Sequence, residues 1–126
     1  MRRQTPPVFL NLLQIRFPIT AVMSILHRLS GVLLFLNIPL VIYALQLSLS
    51  GEAGFKLVQD WLLHSLIIQV LLVILLWALL HHLFAGIRFL LLDIDIGVSR
   101  AAARRSAWWV NISALLIAVL LVGLCQ

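Results

Sequence analysis

Three stretches of this chain contain no Asp, Glu, Lys or Arg: Leu29 to Ser50, Trp61 to Ile87 and Ser106 to Leu124. Each can cross the hydrocarbon core of a bilayer, which takes about 20 apolar residues. The 126 residues are 63% hydrophobic and 10% charged, whereas soluble domains carry about 25% charged residues. No ordinary aqueous fold hides so much apolar surface. The runs do not alternate with period two, which argues against barrel strands. The expected fold class is therefore all-α, a three-helix transmembrane bundle. It forms one multi-pass domain over residues 1–126, with approximate spans at 19–49, 61–92 and 106–124.

The connections set the orientation. Residues 50–60 read as a polar turn carrying Gly51, Glu52, Gly54, Lys56 and Asp60. Residues 93–105 carry Asp93, Asp95, Arg100, Arg104 and Arg105, and Arg2, Arg3 and Arg16 precede the first span. Lys and Arg favour the cytoplasmic side, so the N-terminus and the second connection are expected in the cytoplasm. The net charge of +5 is then a topology signal beside membrane lipid, and nucleic acid is not an expected partner. The basic start resembles a signal peptide only superficially, because the first run is too long and no small-residue cleavage site follows. Pro6, Pro7 and Pro18 give residues 1–18 an irregular or interfacial character. Pro39 is expected to kink the first span.

Two polar islands interrupt the apolar runs. One is Ser24-Ile25-Leu26-His27-Arg28. The other is His81-His82-Leu83-Phe84-Ala85-Gly86-Ile87-Arg88. Ionisable residues inside a membrane span are costly and usually face protein, a proton path or a metal. At 1.5 Å per residue, Arg28 and His82 each lie roughly 15 Å from the cytoplasmic helix end. Equal depth supports one shared site. Ser24 and Arg28 share a face at i, i+4, whereas His27 points about 100° away. His82, Gly86 and Phe89 share a face on which Gly86 leaves space beside the imidazole, suiting a neighbouring helix or a flat cofactor. His81 points away from His82 and roughly along Arg88.

Bland readings stand beside these. An intramembrane Arg can pair with a carbonyl or reach the headgroups, and one of two adjacent histidines can be a packing residue. The chain has no HExxH, CxxC, Walker or GxGxxG pattern, no Ser/His/Asp set and no carboxylate pair within a span. Cys125 has no partner for an internal disulfide. What is left is a histidine available to haem iron and a Ser/Arg pair available to a polar head group.

At these residues the chain resembles the cytochrome b membrane-anchor subunits of succinate dehydrogenase. The resemblance rests on Arg16-Phe17-Pro18-Ile19-Thr20-Ala21, on Ser24-Ile25-Leu26-His27-Arg28 with Ser30-Gly31, and on His82-Leu83-Phe84-Ala85-Gly86-Ile87-Arg88 with Asp93. It covers essentially the whole chain. It implies a bacterial inner-membrane complex with a flavoprotein, an iron–sulfur subunit and a second anchor subunit. It also implies a haem b shared between the two anchors, with His82 as this chain's axial ligand to the iron. His27 lies near the haem propionates in that scheme. Ser24 and Arg28 bind the quinone, ubiquinone or menaquinone, and Arg28 also serves the haem. The family often has His directly after Gly-Ile-Arg; here Phe89 stands there, which puts one propionate contact in doubt.

The resemblance makes the chain part of a succinate:quinone oxidoreductase with no succinate-oxidising site of its own. A hydroxyl and a guanidinium suit a quinone carbonyl, because preorganised donors stabilise charge that builds on an oxygen. The rival readings are the anchor of a fumarate reductase, a structural anchor whose His82 and Arg28 only bridge helices, and a small transporter or pore.

Overall fold

A computed structural model of the chain describes residues 16–124. Arg2, Arg3, most of the N-terminal arm and Cys125 lie outside the described residues. Four helices follow in order: α1 (Ile19–Leu49), α2 (Glu52–His64), α3 (Leu66–Asp93) and α4 (Arg100–Leu124). Among the described residues there is no strand, so the all-α expectation holds. The helices α1, α3 and α4 are long and apolar enough to cross a membrane. At 1.5 Å per residue they run about 46, 42 and 38 Å, more than the roughly 30 Å hydrocarbon core. Helix α1 passes through Pro39 as one continuous element.

The second apolar run divides where a single span from residue 61 was expected. Residues 50–60 do not form a simple turn: α2 occupies most of them and ends at His64. The break lies at Ser65, whose backbone is extended at φ −92° and ψ 108°. Its hydroxyl accepts from the Ile68 N–H at 3.5 Å, and the Gln69 Nε2 donates to the Leu63 carbonyl at 2.8 Å across the corner. Ser65 thus acts as an N-cap hidden inside an apolar stretch. Trp61 lies on α2, which also carries the exposed pairs Lys56–Glu52 (2.6 Å) and His64–Asp60 (2.9 Å).

Two glycines bring α2 back against α1. Gly51 has φ +138°, a region that side chains strongly disfavour. Gly54 is buried, and a Cβ there would strike the Leu47 carbonyl and the Ser50 hydroxyl.

At the other end of the bundle α3 stops in a Schellman motif. The Asp95 N–H donates to Leu92 O at 3.0 Å and the Ile96 N–H to Leu91 O at 2.9 Å. Asp95 itself is left-handed at φ 61°, a conformation that Asp tolerates better than most residues. Helix α4 then starts six residues earlier than the apolar pattern indicated. Ser99 caps it, its hydroxyl accepting from the Ala102 N–H at 3.3 Å.

Helix α3 packs against both α1 and α4, and α1 also touches α4. The buried core is small and lies where Met23 of α1, Ala85 of α3, and Ala107 and Val110 of α4 meet. Ile19, Phe84 and Phe89 close over it. The face of α3 toward α4 is Ala78, His81, Ala85 and Arg88; the opposing face of α4 is mostly alanine, at Ala107, Ala114 and Ala118. Small side chains let membrane helices approach closely where lipid supplies no hydrophobic drive. Large apolar residues such as Phe35, Leu36, Leu66 and Ile67 point outward.

Candidate functional site

The two polar islands meet between α1 and α3. The His27 and His82 rings stack with centroids 4.2 Å apart and planes 12° from parallel. The Nδ1 of His82 lies 3.1 Å from the His27 carbonyl. A carbonyl only accepts, so Nδ1 carries the proton and donates. Ser30 is fully buried; its hydroxyl donates to the same carbonyl at 2.8 Å and lies 3.4 Å from His82 Nδ1. With Nδ1 protonated, the lone pair of His82 is on Nε2. Among the described residues Nε2 has no hydrogen-bond partner, and it is not sealed from its surroundings.

Close contact comes from a different glycine than the sequence indicated. A Cβ at Gly86 would meet His27 Nε2 at an ordinary 3.7 Å, so His27 faces that gap. The tight approach is at Gly31, where a Cβ would stand 3.0 Å from His82 Cε1. Ser30 and Gly31 are thus site residues to which sequence reasoning attached no role. They follow His27 by three and four positions, one turn on, and that spacing was the available signal.

From His82 and Gly31 an open groove of about 640 Å³ runs between α1 and α3. Its walls are aliphatic and aromatic, including Leu34, Phe35, Leu76 and Leu79, with Asn37 the other polar residue. The polar end lies beyond His82, at His27 and Arg28.

Ser24 and Arg28 lie on the flank of α1, outside the packed core. Arg28 is exposed and Ser24 partly so. Among the described residues neither makes a hydrogen bond, and Arg28 has no ion pair. Both donors are therefore open to a ligand or to an adjoining subunit. Phe89 packs edge-on to His27, with centroids 5.2 Å apart.

His81 and Arg88 turn the other way, into α4. Arg88 is 7% exposed and donates from Nε to the Ser106 hydroxyl at 2.9 Å and from Nη2 to the Ala103 carbonyl at 3.0 Å. This is the structural alternative for an intramembrane arginine: the charge is held by neutral acceptors. Among the described residues no cluster of His, Cys, Asp and Glu could hold a metal ion by itself. His82 offers one nitrogen, so a metal held there would need further ligands that the described residues do not supply.

Comparison with known proteins identifies the family. A family model described as succinate dehydrogenase/fumarate reductase transmembrane subunit matches residues 1–122. The chain belongs to this family. Among its relatives is the succinate dehydrogenase cytochrome b556 subunit of Coxiella burnetii, 40% identical over 117 residues that cover 93% of each chain. The protein of the same name from Paracoccus denitrificans is 29% identical over 120 residues, covering 95% of this chain and 92% of the relative. That of Rickettsia typhi is 34% identical over 103 residues, covering 82% and 79%. Three helices long and apolar enough to cross a membrane are what a family of transmembrane subunits requires.

Proposed function

We propose that this chain is the cytochrome b membrane anchor of a bacterial succinate dehydrogenase. In this role it holds half of a haem b site and one side of a quinone site. The observation that carries the haem assignment is the hydrogen bond from His82 Nδ1 to the His27 carbonyl. Metal-bound histidines characteristically donate their other ring N–H to a carbonyl or carboxylate, which fixes tautomer and ring orientation. His81 also donates, from Nε2 to Asn111 Oδ1 at 2.9 Å, but the nitrogen left with its lone pair, Nδ1, is sealed inside the bundle, whereas Nε2 of His82 is not.

The residues fit the group. His82 would hold the iron through Nε2. The aliphatic groove suits the apolar edge of a porphyrin, and His27 and Arg28 are the polar groups at its other end, suited to the propionates. A haem held there would supply one-electron transfer. The second axial histidine belongs to the other anchor subunit.

Ser24 and Arg28 act on the quinone. A hydroxyl and a guanidinium on one helical face both donate to carbonyl oxygen. Their openness leaves room for the head group and for the iron–sulfur subunit that closes the pocket and delivers electrons. Ubiquinone and menaquinone present the same carbonyls to this pair. The flavoprotein handles succinate, and the anchor's residues serve either direction of the reaction. The bacterial inner membrane is the expected location, with the N-terminus and the connection between α3 and α4 in the cytoplasm.

The deciding experiment is a reduced-minus-oxidised absorption spectrum of the purified complex with His82→Ala in this chain. The low-spin haem signal is expected to disappear, while the His81→Ala complex keeps it. Loss only in the His81 variant would reassign the ligand. Retention in both would leave His82 a packing residue.

A further inference from the structure

We propose that the His81–Asn111 pair is a register pin: it fixes how α3 seats on α4, and through α3 it fixes the direction in which His82 points. The proposal rests on the reading of His82 as the haem ligand. His81 is fully buried. Its Nε2 lies 2.9 Å from Asn111 Oδ1 on α4, and its ring leans on Trp77 with centroids 5.4 Å apart. With Nε2 donating to the amide oxygen, Nδ1 is an acceptor. It is the one buried side-chain nitrogen or oxygen without a partner among the described residues. Burying an unpaired acceptor is unfavourable, and an apolar residue at this position would avoid the cost. The quinone site and the proposed haem socket make no use of His81. What His81 supplies is position.

The seam it crosses explains the need. Ala78 and Ala85 of α3 face a mostly small-residue column on α4: Ala107, Ala114 and Ala118, with Val110 and Val122 the larger members. A seam made mostly of alanine packs closely in more than one register a helical turn apart, because each offers similar small-residue contacts. Shape alone specifies it poorly. Polar contacts specify it, since a one-turn slip parts donor from acceptor inside the bundle, where replacements are scarce. The seam has two such contacts, His81 to Asn111 and Arg88 to Ser106 and Ala103. Seven residues separate His81 from Arg88 along α3, two turns on the same face. On α4 the partners descend over a comparable length, as antiparallel helices require. Arg88 is a long, adaptable side chain, whereas His81 is short and rigid and tolerates less slippage. Because His82 is the next residue, about 100° around α3, seating His81 into α4 aims His82 at α1.

Disulfide cross-linking of the assembled complex in native membranes tests this, in a Cys125→Ser background. Ala85→Cys paired with Ala107→Cys reports the native register. Ala85→Cys with Ala103→Cys, and Ala78→Cys with Ala118→Cys, report slips of one turn in the two directions. The unpinned His81→Leu chain is expected to gain a slipped product that the His81 chain lacks. His81→Gln keeps an amide N–H near the Nε2 position and is expected to retain the native product alone. The haem of the His81→Leu complex is expected to show shifted electron paramagnetic resonance g values, with the His81→Gln complex close to the parent. Native cross-links alone in His81→Leu would overturn the pin. A slipped register with unchanged g values would overturn its link to His82. If His81→Leu does not assemble, Asn111→Leu removes the same contact from the other helix and is judged by the same products. A low-spin haem signal surviving His82→Ala would overturn the ligand reading instead, and the cross-links would still judge the register.

Discussion

At the scale of single residues, the site is decided by which atoms lack room and which lack partners. Gly31 lies so close to His82 that a methyl group must displace the imidazole by a few tenths of an ångström. Overpacking of this kind costs about 1–3 kcal/mol. Gly31→Ala is therefore expected to lower the haem content per flavin of the purified complex, while Gly123→Ala, which meets nothing within 4 Å, leaves it unchanged. Ser24 and Arg28 are open to a ligand. In the proposed quinone site Ser24→Ala is expected to remove one hydrogen bond to the quinone, worth about 0.5–1.5 kcal/mol, or roughly two- to tenfold in quinone reduction. Arg28→Ala is expected to cost more, because a charged donor is lost. Succinate oxidation with an artificial acceptor drawing electrons from the soluble subunits is expected to survive both changes. Equal loss of both activities in an assembled complex would exclude a specific quinone role.

At the scale of elements, two joints distinguish this chain from three plain spans. The fold between α1 and α2 depends on Gly54, whose missing side chain lets α2 lie against the end of α1. Gly54→Ala puts a methyl into backbone that cannot move aside cheaply. A loss of about 1–3 kcal/mol is expected, measured as a lower midpoint for thermal release of haem from the complex. The joint between α3 and α4 relies on Arg88, which spans to Ser106 and Ala103. Arg88→Met keeps most of the length and removes the donors. Bonds from a charged group contribute about 1.5–3 kcal/mol each, though burying the charge offsets part of this. The expected result is a smaller thermal shift than the pair of bonds suggests, with quinone reduction per haem unchanged.

At the scale of the whole molecule, orientation places the site. Arg16, Arg100, Arg104 and Arg105 lie at one end of the bundle, and the arrangement of α1, α3 and α4 puts the polar islands in the same half. The positive-inside rule predicts that this half faces the cytoplasm. Glu52→Cys is expected to react with a membrane-impermeant thiol reagent added from the periplasm, and Arg100→Cys only after the membrane is opened. The opposite pattern would put the quinone pocket on the face away from a soluble dehydrogenase. The broad outward apolar faces of α1 and α3 leave room for lipid and for a second anchor subunit beside the groove.

Charge-free length and polar interruptions are properties of local composition, so the fold class, the long apolar helices and the polar islands were legible in the amino-acid order alone. It placed the two polar islands at one depth, Arg28 with His82, since helical rise turns residue number into distance. It could not separate α2 from α3. The break depends on one serine cap within an otherwise apolar stretch, and hydropathy does not register a cap. Nor could it assign the two adjacent histidines from the residues alone; resemblance supplied His82. The tertiary structure separates them physically: His82 turns its Nδ1 to a carbonyl of α1, and His81 turns into α4. Which way each ring faces depends on the neighbours packed around α3, and those neighbours come from distant parts of the chain. The glycine that shapes the His82 socket was missed for the same reason. Gly86 shares a helix with His82, but the space beside the ring is set by Gly31, across the interface.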